Sequence, residues 1–428
     1  MTMDAQPQTT QRLDQEARDI MIRNDRGGYS VPTHGLYPYQ WNWDSAFAAI
    51  GYAAFDMDRA WIELETLMAA QWHDGMVPHI VFHEVDPGYF PGPDIWGGVG
   101  PVPSTGISQP PVAASMALRL WDNDPEMGAE RFLPMFDGFV RWHRWFMDWR
   151  LHDGAVCITH PWESGRDNTP DWDGAMANLI PRDLGEYQRR DTGHVDASMR
   201  PHKSDYDRYL TLVAIGHEAR WEQGALHASW PFRVADPTMT FILLRAHRDL
   251  AELGRRLGRD VSEIESWIPI LEAGAETLWN PELKTYDVRD TLSGEWSCCV
   301  SNASFLCWWA GIDRAEMLPH LRRVNRAVRF GVPSHDPESP AFEAKRYWRG
   351  PVWAMLNMLI AEGLDEFGYD DGALLRQNTA RMIEENGFAE YFDPITGAPA
   401  GGQNFTWTAA IWLDWASPRA REENRWAG

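Results

Sequence analysis

Asp236-Pro237-Thr238-Met239-Thr240-Phe241-Ile242-Leu243-Leu244-Arg245-Ala246-His247-Arg248-Asp249-Leu250-Ala251-Glu252-Leu253-Gly254-Arg255-Arg256-Leu257 is the stretch whose reading decides the fold. It opens on a capping carboxylate, Asp236, followed by proline at the first helical position, where a missing N–H costs nothing. Apolar residues then recur at helical spacing as far as Leu257. Comparable stretches lie upstream at Arg12 to Arg23, Ser45 to Ala54, Asp58 to Trp72, Val112 to Trp121, Met127 to Trp149 and Tyr206 to Trp221. Downstream they continue at Val261 to Trp279, Ala303 to Gly311, Ala315 to Val328, Val352 to Phe367, Gly372 to Glu385 and Phe405 to Trp415. Asp44 before Ser45 and Asn404 before Phe405 read as further caps. Few strand-like alternations compete, and no linker, charge run, low-complexity block or strong repeat divides the chain. Paired helices without a boundary predict an all-α protein, one (α/α)6 barrel (a toroid of two concentric helical rings). It is expected to span residues 1–428 as a single domain, with loop insertions at about 75–106 and 160–205.

Composition narrows the function. With 44% hydrophobic and 24% charged residues the chain reads as globular. No run of about 18 apolar residues is present, so no spanning helix is expected. Met1 to Asp19 is polar and charged and does not read as a secretory signal, which makes the cytoplasm the expected compartment. A net charge of −23 argues against nucleic acid or an anionic membrane as partner. Cys157, Cys298, Cys299 and Cys307 match no zinc spacing and read as small buried hydrophobes. The 24 tryptophans are the unusual number: most belong in the core, yet Trp-rich loops between helices point toward carbohydrate, on which aromatic faces stack.

Three loop segments concentrate the chemistry: Tyr37-Pro38-Tyr39-Gln40-Trp41-Asn42-Trp43-Asp44, Trp162-Glu163-Ser164-Gly165-Arg166-Asp167-Asn168-Thr169-Pro170, and Glu390-Tyr391-Phe392-Asp393-Pro394-Ile395-Thr396-Gly397 with Gly401 to Trp407 after it. Glycosidic hydrolysis needs one protonated acid at the leaving oxygen and a second carboxylate that activates water or attacks the sugar. Asp167 and Glu390, on loops far apart in sequence, could face each other across one toroid mouth, with Trp162 and Trp172 raising the acid's pKa by excluding water. Taken alone, Asp44 could be only a helix cap and Asp167 only a turn residue.

The segment Glu163 to Pro170 resembles the acid loop of glycoside hydrolase family 63 and its trehalase-like relatives. Gln40 to Asp44, Tyr347-Trp348-Arg349-Gly350-Pro351-Val352-Trp353 and Glu390 to Trp407 are similar to that clan, in the same order along the chain. Asn24 to Tyr29, Gly75 to Ile80, Ser108 to Pro111, Arg200-Pro201 and Tyr206 to Tyr209 resemble the mannosylglycerate and glucosylglycerate hydrolase group of that family. The resemblance implies Asp167 as general acid and Glu390 as general base. It implies Tyr39, Trp41, Trp43, Asp44, Gln109, Gly165, Tyr347, Trp348, Trp353 and Gln403 around the sugar, with Arg200 and Tyr206 on the glycerate carboxylate. A guanidinium fork suits a carboxylate through parallel hydrogen bonds.

The expected activity is inverting, exo-acting hydrolysis of 2-O-α-mannosylglycerate or 2-O-α-glucosylglycerate, with no cofactor and no metal. The partner is a small sugar with an anionic aglycone; no oligomeric state is read from the sequence. The enzymatic rival is an α-glucosidase on a neutral disaccharide or oligosaccharide end, for which Arg200 has no use. A phosphorylase would leave Glu390 without a role. A non-catalytic sugar-binding protein would not need both carboxylates. His194, His202 and Lys203 near Arg200 receive no role, and the Gly/Pro-rich stretch from Gly75 to Gly106 reads either as a lid or as a fixed loop.

Overall fold

The computed structural model describes residues 5–422. Helices dominate, and where they sit follows from how many of their faces are apolar. Asn42–Ala53 is buried at every position from Asn42 to Tyr52. Thr406–Ile411 is buried throughout, as is the 3-10 helix Asn302–Cys307. Pro237–Arg256, Ala354–Glu366 and Ala113–Asn123 are buried around most of their circumference. An element apolar all round has to be surrounded, and these pack on one another in a closed succession. Asn42–Ala53 meets Ala113–Asn123, which meets Pro237–Arg256, then Asn302–Cys307, Ala354–Glu366, Thr406–Ile411 and again Asn42–Ala53.

Helices with a single buried stripe lie outside this ring. Met57–Ala69 backs Asn42–Ala53, Ser262–Thr277 and Phe136–Trp149 back Pro237–Arg256, Asp371–Asn386 backs Ala354–Glu366, and Ala5–Asn24 backs Thr406–Ile411. In Leu318–Ala327 the buried residues are Leu318, Leu321 and Val324, one edge of a helix. The strands are short antiparallel pairings, among them Gln40–Trp41 with Ile80–Val81 and Ala389–Phe392 with Pro399–Gln403. No helix of the described residues is long and apolar enough to cross a membrane.

Four local expectations change. Met127 to Trp149 is not one helix but two, Pro125–Phe132 and Phe136–Trp149, because Pro134 donates no N–H and its ring crowds the carbonyl four residues back. Ala303 to Gly311 is not an α-helix; its core is the 3-10 helix Asn302–Cys307. Asp44 is not a cap: the helix starts at Asn42, with Trp41 at the cap position and Asp44 inside the first turn. Asn404 is likewise one residue early; Phe405 takes the cap, and Asn404 has φ +52, a left-handed conformation that Asn tolerates better than most residues. The Asp236-Pro237 start holds, with the Asp236 carboxylate accepting from the Thr238 N–H at 3.1 Å.

Close approach within the ring depends on small residues. A Cβ at Gly51 would lie 2.5 Å from the Ala410 Cβ and 2.6 Å from its Cα. Gly51→Ala is therefore expected to lower unfolding free energy by about 1–3 kcal/mol, the usual cost of overpacking. A denaturant titration that leaves the midpoint unchanged would contradict this contact.

Candidate active site

The segments entering the inner helices collect at one cleft that encloses about 850 Å³ of empty space, including the part open to solvent. Trp43 and Asp44 stand in the first turn of Asn42–Ala53, Gln109 just before Ala113–Asn123, and Phe405 and Trp407 at the start of Thr406–Ile411. Several helix N-termini, with their partial positive charge, thus surround one space, an arrangement that favours anions. Trp41, Gly165, Asp167, Arg200, Tyr206, Tyr347 and Glu390 complete the expected residues found in the lining.

Asp167 and Glu390 share this cavity but not their surroundings. Burial pushes the Asp167 carboxyl up to about 7; its own backbone N–H and Arg200 work against that, while Glu390 adds to it. Its loop is held by Trp172 Nε1 and Tyr209 Oη, which donate to the Asp167 carbonyl at 2.9 and 3.0 Å. Beneath it, the fully buried Arg166 donates to Asp171 at 2.9 Å and to Asp236 at 3.2 Å, tying the loop to the cap of an inner helix. Glu390 meets donors only. Gly402 N donates to Oε2 at 2.8 Å, Tyr37 Oη to Oε1 at 3.0 Å, and Arg200 Nη1 to both oxygens at 3.3 Å.

Arg200 is the hub. Beyond Glu390, its Nε donates to Asp191 at 3.1 Å, its Nη2 donates to the Tyr37 hydroxyl, and its guanidinium lies 4.2 Å from the Tyr347 ring centre. The open fork expected for a glycerate carboxylate is largely engaged in this structure. Burial works to raise the Asp191 carboxyl, but Arg200 and Arg189 overcome it and hold it below the usual range. Tyr347 sits at φ +42, a strained conformation for an aromatic residue. Burial, with Glu390 nearby, pushes Asp44 well above the usual carboxylate range, which favours a neutral carboxyl able to donate.

Four expected residues do not line the cavity. Trp348 and Trp353 are fully buried and stacked on each other at 3.8 Å, behind Trp43, Trp407 and Tyr347. Tyr39 is fully buried; its hydroxyl bonds the Asp86 backbone and its ring packs edge-on against Tyr89. Gln403 is exposed, because alternation along Pro399–Gln403 turns it to the outer face. His194 is exposed, His202 caps Lys203–Glu218, and Lys203 pairs with Asp207 at 2.7 Å, all outside the lining.

Some of the lining was not assigned from sequence. Tyr37 stands inside a quoted segment, so position could have drawn attention to it, while Trp162, expected only to exclude water from the acid, is part of the lining. Asp191 carries no local signal, and only its contact with Arg200 marks it. From the 75–106 insertion come His79, Tyr89, Phe90 and Trp96. That insertion is bonded to the 160–205 insertion by Arg190, which grips Asp86 through two hydrogen bonds of 2.6 and 2.7 Å.

A family model described as a mannosylglycerate hydrolase MGH1-like glycoside hydrolase domain matches residues 37–408. A mannosylglycerate hydrolase of Selaginella moellendorffii is 44% identical over 93% of this chain and 84% of its own. The glucosylglycerate hydrolase of Mycolicibacterium hassiacum is 36% identical over 95% of this chain and 98% of its own. The crystal structure of a mannosylglycerate hydrolase from Thermus thermophilus, in complex with Tris and D-glycerate, superposes with a TM-score of 0.91. It is 42% identical, covering 94% of this chain and 99% of that one. Yeast neutral trehalase, 15% identical with a TM-score of 0.57 over 92% of this chain and 74% of its own, shares the fold.

The environment of Asp167 makes a direct prediction. Its carboxyl should titrate with a midpoint near pH 7, followed by carbon NMR of labelled aspartate and assigned by loss of the signal in Asp167→Asn. A midpoint in the ordinary range near 4 would mean that the cavity is wetter than this structure implies.

Proposed function

Because the chain belongs to the mannosylglycerate hydrolase MGH1-like family of glycoside hydrolases, we propose that this glycosidase cleaves 2-O-α-mannosylglycerate or 2-O-α-glucosylglycerate to free hexose and glycerate. One observation carries the reading: two carboxyl groups line one cavity, one pushed to about 7 and one surrounded by donors. Asp167 gives its proton to the glycosidic oxygen as the bond to the anomeric carbon breaks. Glu390 takes a proton from a water that bonds to that carbon on the opposite face, so configuration inverts. Trp41, Trp43, Asp44, Gln109 and Gly165 surround the hexose. Relatives bearing both hydrolase names leave either hexose as substrate.

The aglycone carboxylate belongs beside Arg200, with Tyr206 in the same wall. Arg200 then acts twice: it neutralises the glycerate, and it holds the Glu390 carboxylate in place through both oxygens. No metal or cofactor takes part in this scheme. The closed ring of inner elements with amphipathic helices outside supports an (α/α)6 toroid. The net charge of −23 supports a protein that binds neither nucleic acid nor an anionic membrane.

Asp167→Asn and Glu390→Gln should each lower turnover at least about a hundredfold, the typical worth of a positioned acid or base. In the parent enzyme kcat/KM should fall as pH rises through about 7, because only protonated Asp167 can donate. Proton NMR should show β-hexose as the first product; initial α-hexose would overturn inversion, and no release of hexose from either glycerate glycoside would overturn the substrate.

Arg200→Lys keeps charge but loses the planar fork. The loss common to charged and neutral glycosides measures the Glu390 contact. An extra loss of about 1–3 kcal/mol in kcat/KM for glycerate-linked substrates measures the carboxylate contact. Equal losses on both would restrict Arg200 to supporting Glu390.

A further inference from the structure

Asp171, Cys299 and His335 are brought together from three distant segments, so no spacing along the chain could have marked them. One carboxylate oxygen, the thiol sulfur and one imidazole nitrogen all lie within 4.8 Å of one another. We propose that these three side chains hold a divalent, borderline-soft cation, Zn²⁺ by their donor chemistry, which clamps the acid loop to the segments around residues 299 and 335.

Two atoms carry the argument. Asp171 Oδ1 and His335 Nδ1 are sealed from solvent, lack any hydrogen-bond partner, and face each other at 3.9 Å, too far for a hydrogen bond. Their residues are only 3% and 1% exposed. Buried polar atoms in proteins are usually paired, and here a carboxylate oxygen and an imidazole nitrogen without partners face the same small space. The other atom of each group is occupied. Asp171 Oδ2 accepts from Arg166 at 2.9 Å and from Ser301 at 2.8 Å, and His335 Nε2 is 2.8 Å from Ser339 Oγ. A metal-bound imidazole is held in this manner, with its second nitrogen fixed by a hydrogen bond that sets the ring.

Cys299 supplies the third donor and the entrance. It is half-buried, its sulfur makes one long contact of 3.5 Å to the Ser297 carbonyl, and Asp171, Asp287 and Asp173 give its surroundings a negative field. Zinc bonds of about 2.0–2.3 Å place tetrahedral donors about 3.3–3.6 Å apart, so the three atoms, now within 4.8 Å of one another, close by up to about 1.5 Å on binding. The mixed sulfur, nitrogen and oxygen set disfavours magnesium and calcium, which take oxygen. Asp171 is bonded to Arg166, whose neighbour is Asp167, so the ion would stiffen the loop carrying the acid without entering the reaction.

The test uses the full chain after chelator treatment and dialysis. Co²⁺ should bind at one ion per chain with a thiolate-to-cobalt charge-transfer band, Zn²⁺ should abolish that band, and Zn²⁺ should raise the melting temperature. Cys299→Ala should remove the band, His335→Gln should weaken Zn²⁺ at least about tenfold, and Cys298→Ala, at the exposed neighbour, should change neither. If His335→Gln does not fold, Cys299→Ala decides, since a half-buried thiol contributes little to the core. Absence of the band, or a zinc-dependent melting shift that persists unchanged in Cys299→Ala, overturns the proposal.

Discussion

A charge taken out of water has to be met by an opposite charge or by donors, and at Arg200 that requirement organises the cavity. The residue is only 3% exposed, so its guanidinium has to find its partners inside the protein. It finds Glu390, Asp191 and Tyr37, which come from widely separated parts of the chain. The backbone around it is bonded as firmly. Arg346 donates to the Arg200 carbonyl, and both Tyr391 Oη and the Tyr347 N–H donate to the carbonyl of Met199. The strained backbone of Tyr347 is thereby anchored on the segment whose cation it covers.

The same constraint separates the two carboxyls. Glu390 lies where a guanidinium, a phenol and a backbone N–H converge, so an anion there is well solvated by protein. At Asp167 desolvation, with Glu390 and Asp191 adding to it, outweighs its own backbone N–H and Arg200, so its proton is retained up to about 7. Two chemically similar groups thus have unlike surroundings, one with its proton favoured by burial and one met by donors. Asp44 extends the pattern, since a buried carboxyl near Glu390 is driven toward its neutral form and becomes a donor.

Aromatic rings make this possible by keeping water out. Trp41, Trp43, Trp96, Trp162 and Trp407 line the cavity, and a second layer fixes their positions. Trp348 and Trp353 belong to that second layer, stacked flat behind Trp43 and Trp407, and Tyr39 supports Trp41 and Tyr89 in the same way. Their place in the family-like motifs is thus explained by packing behind the lining. The 75–106 insertion closes one side, and its bond from Asp86 to Arg190 joins it to the segment that carries Asp191 and Arg200.

The helical nature of the chain, the position of most helices, and the segments that hold Asp167, Glu390, Trp43 and Asp44 were legible in the sequence. Hydrophobic periodicity records how many faces a helix must bury, and the loop motifs are continuous runs. Boundaries were less so: Pro134 divides a helix whose apolar pattern continues across it, and the cap expected at Asn404 falls one residue later, at Phe405. What tertiary structure alone decided were contacts between side chains that no continuous run of sequence links. Asp191 and Tyr37 matter because they touch Arg200; Gln403 stands outside because of strand alternation; Asp171, Cys299 and His335 form a group only in three dimensions. Local periodicity is written into neighbouring residues, whereas desolvation and charge pairing are set by whatever the fold brings near, and no stretch of chain carries that information by itself.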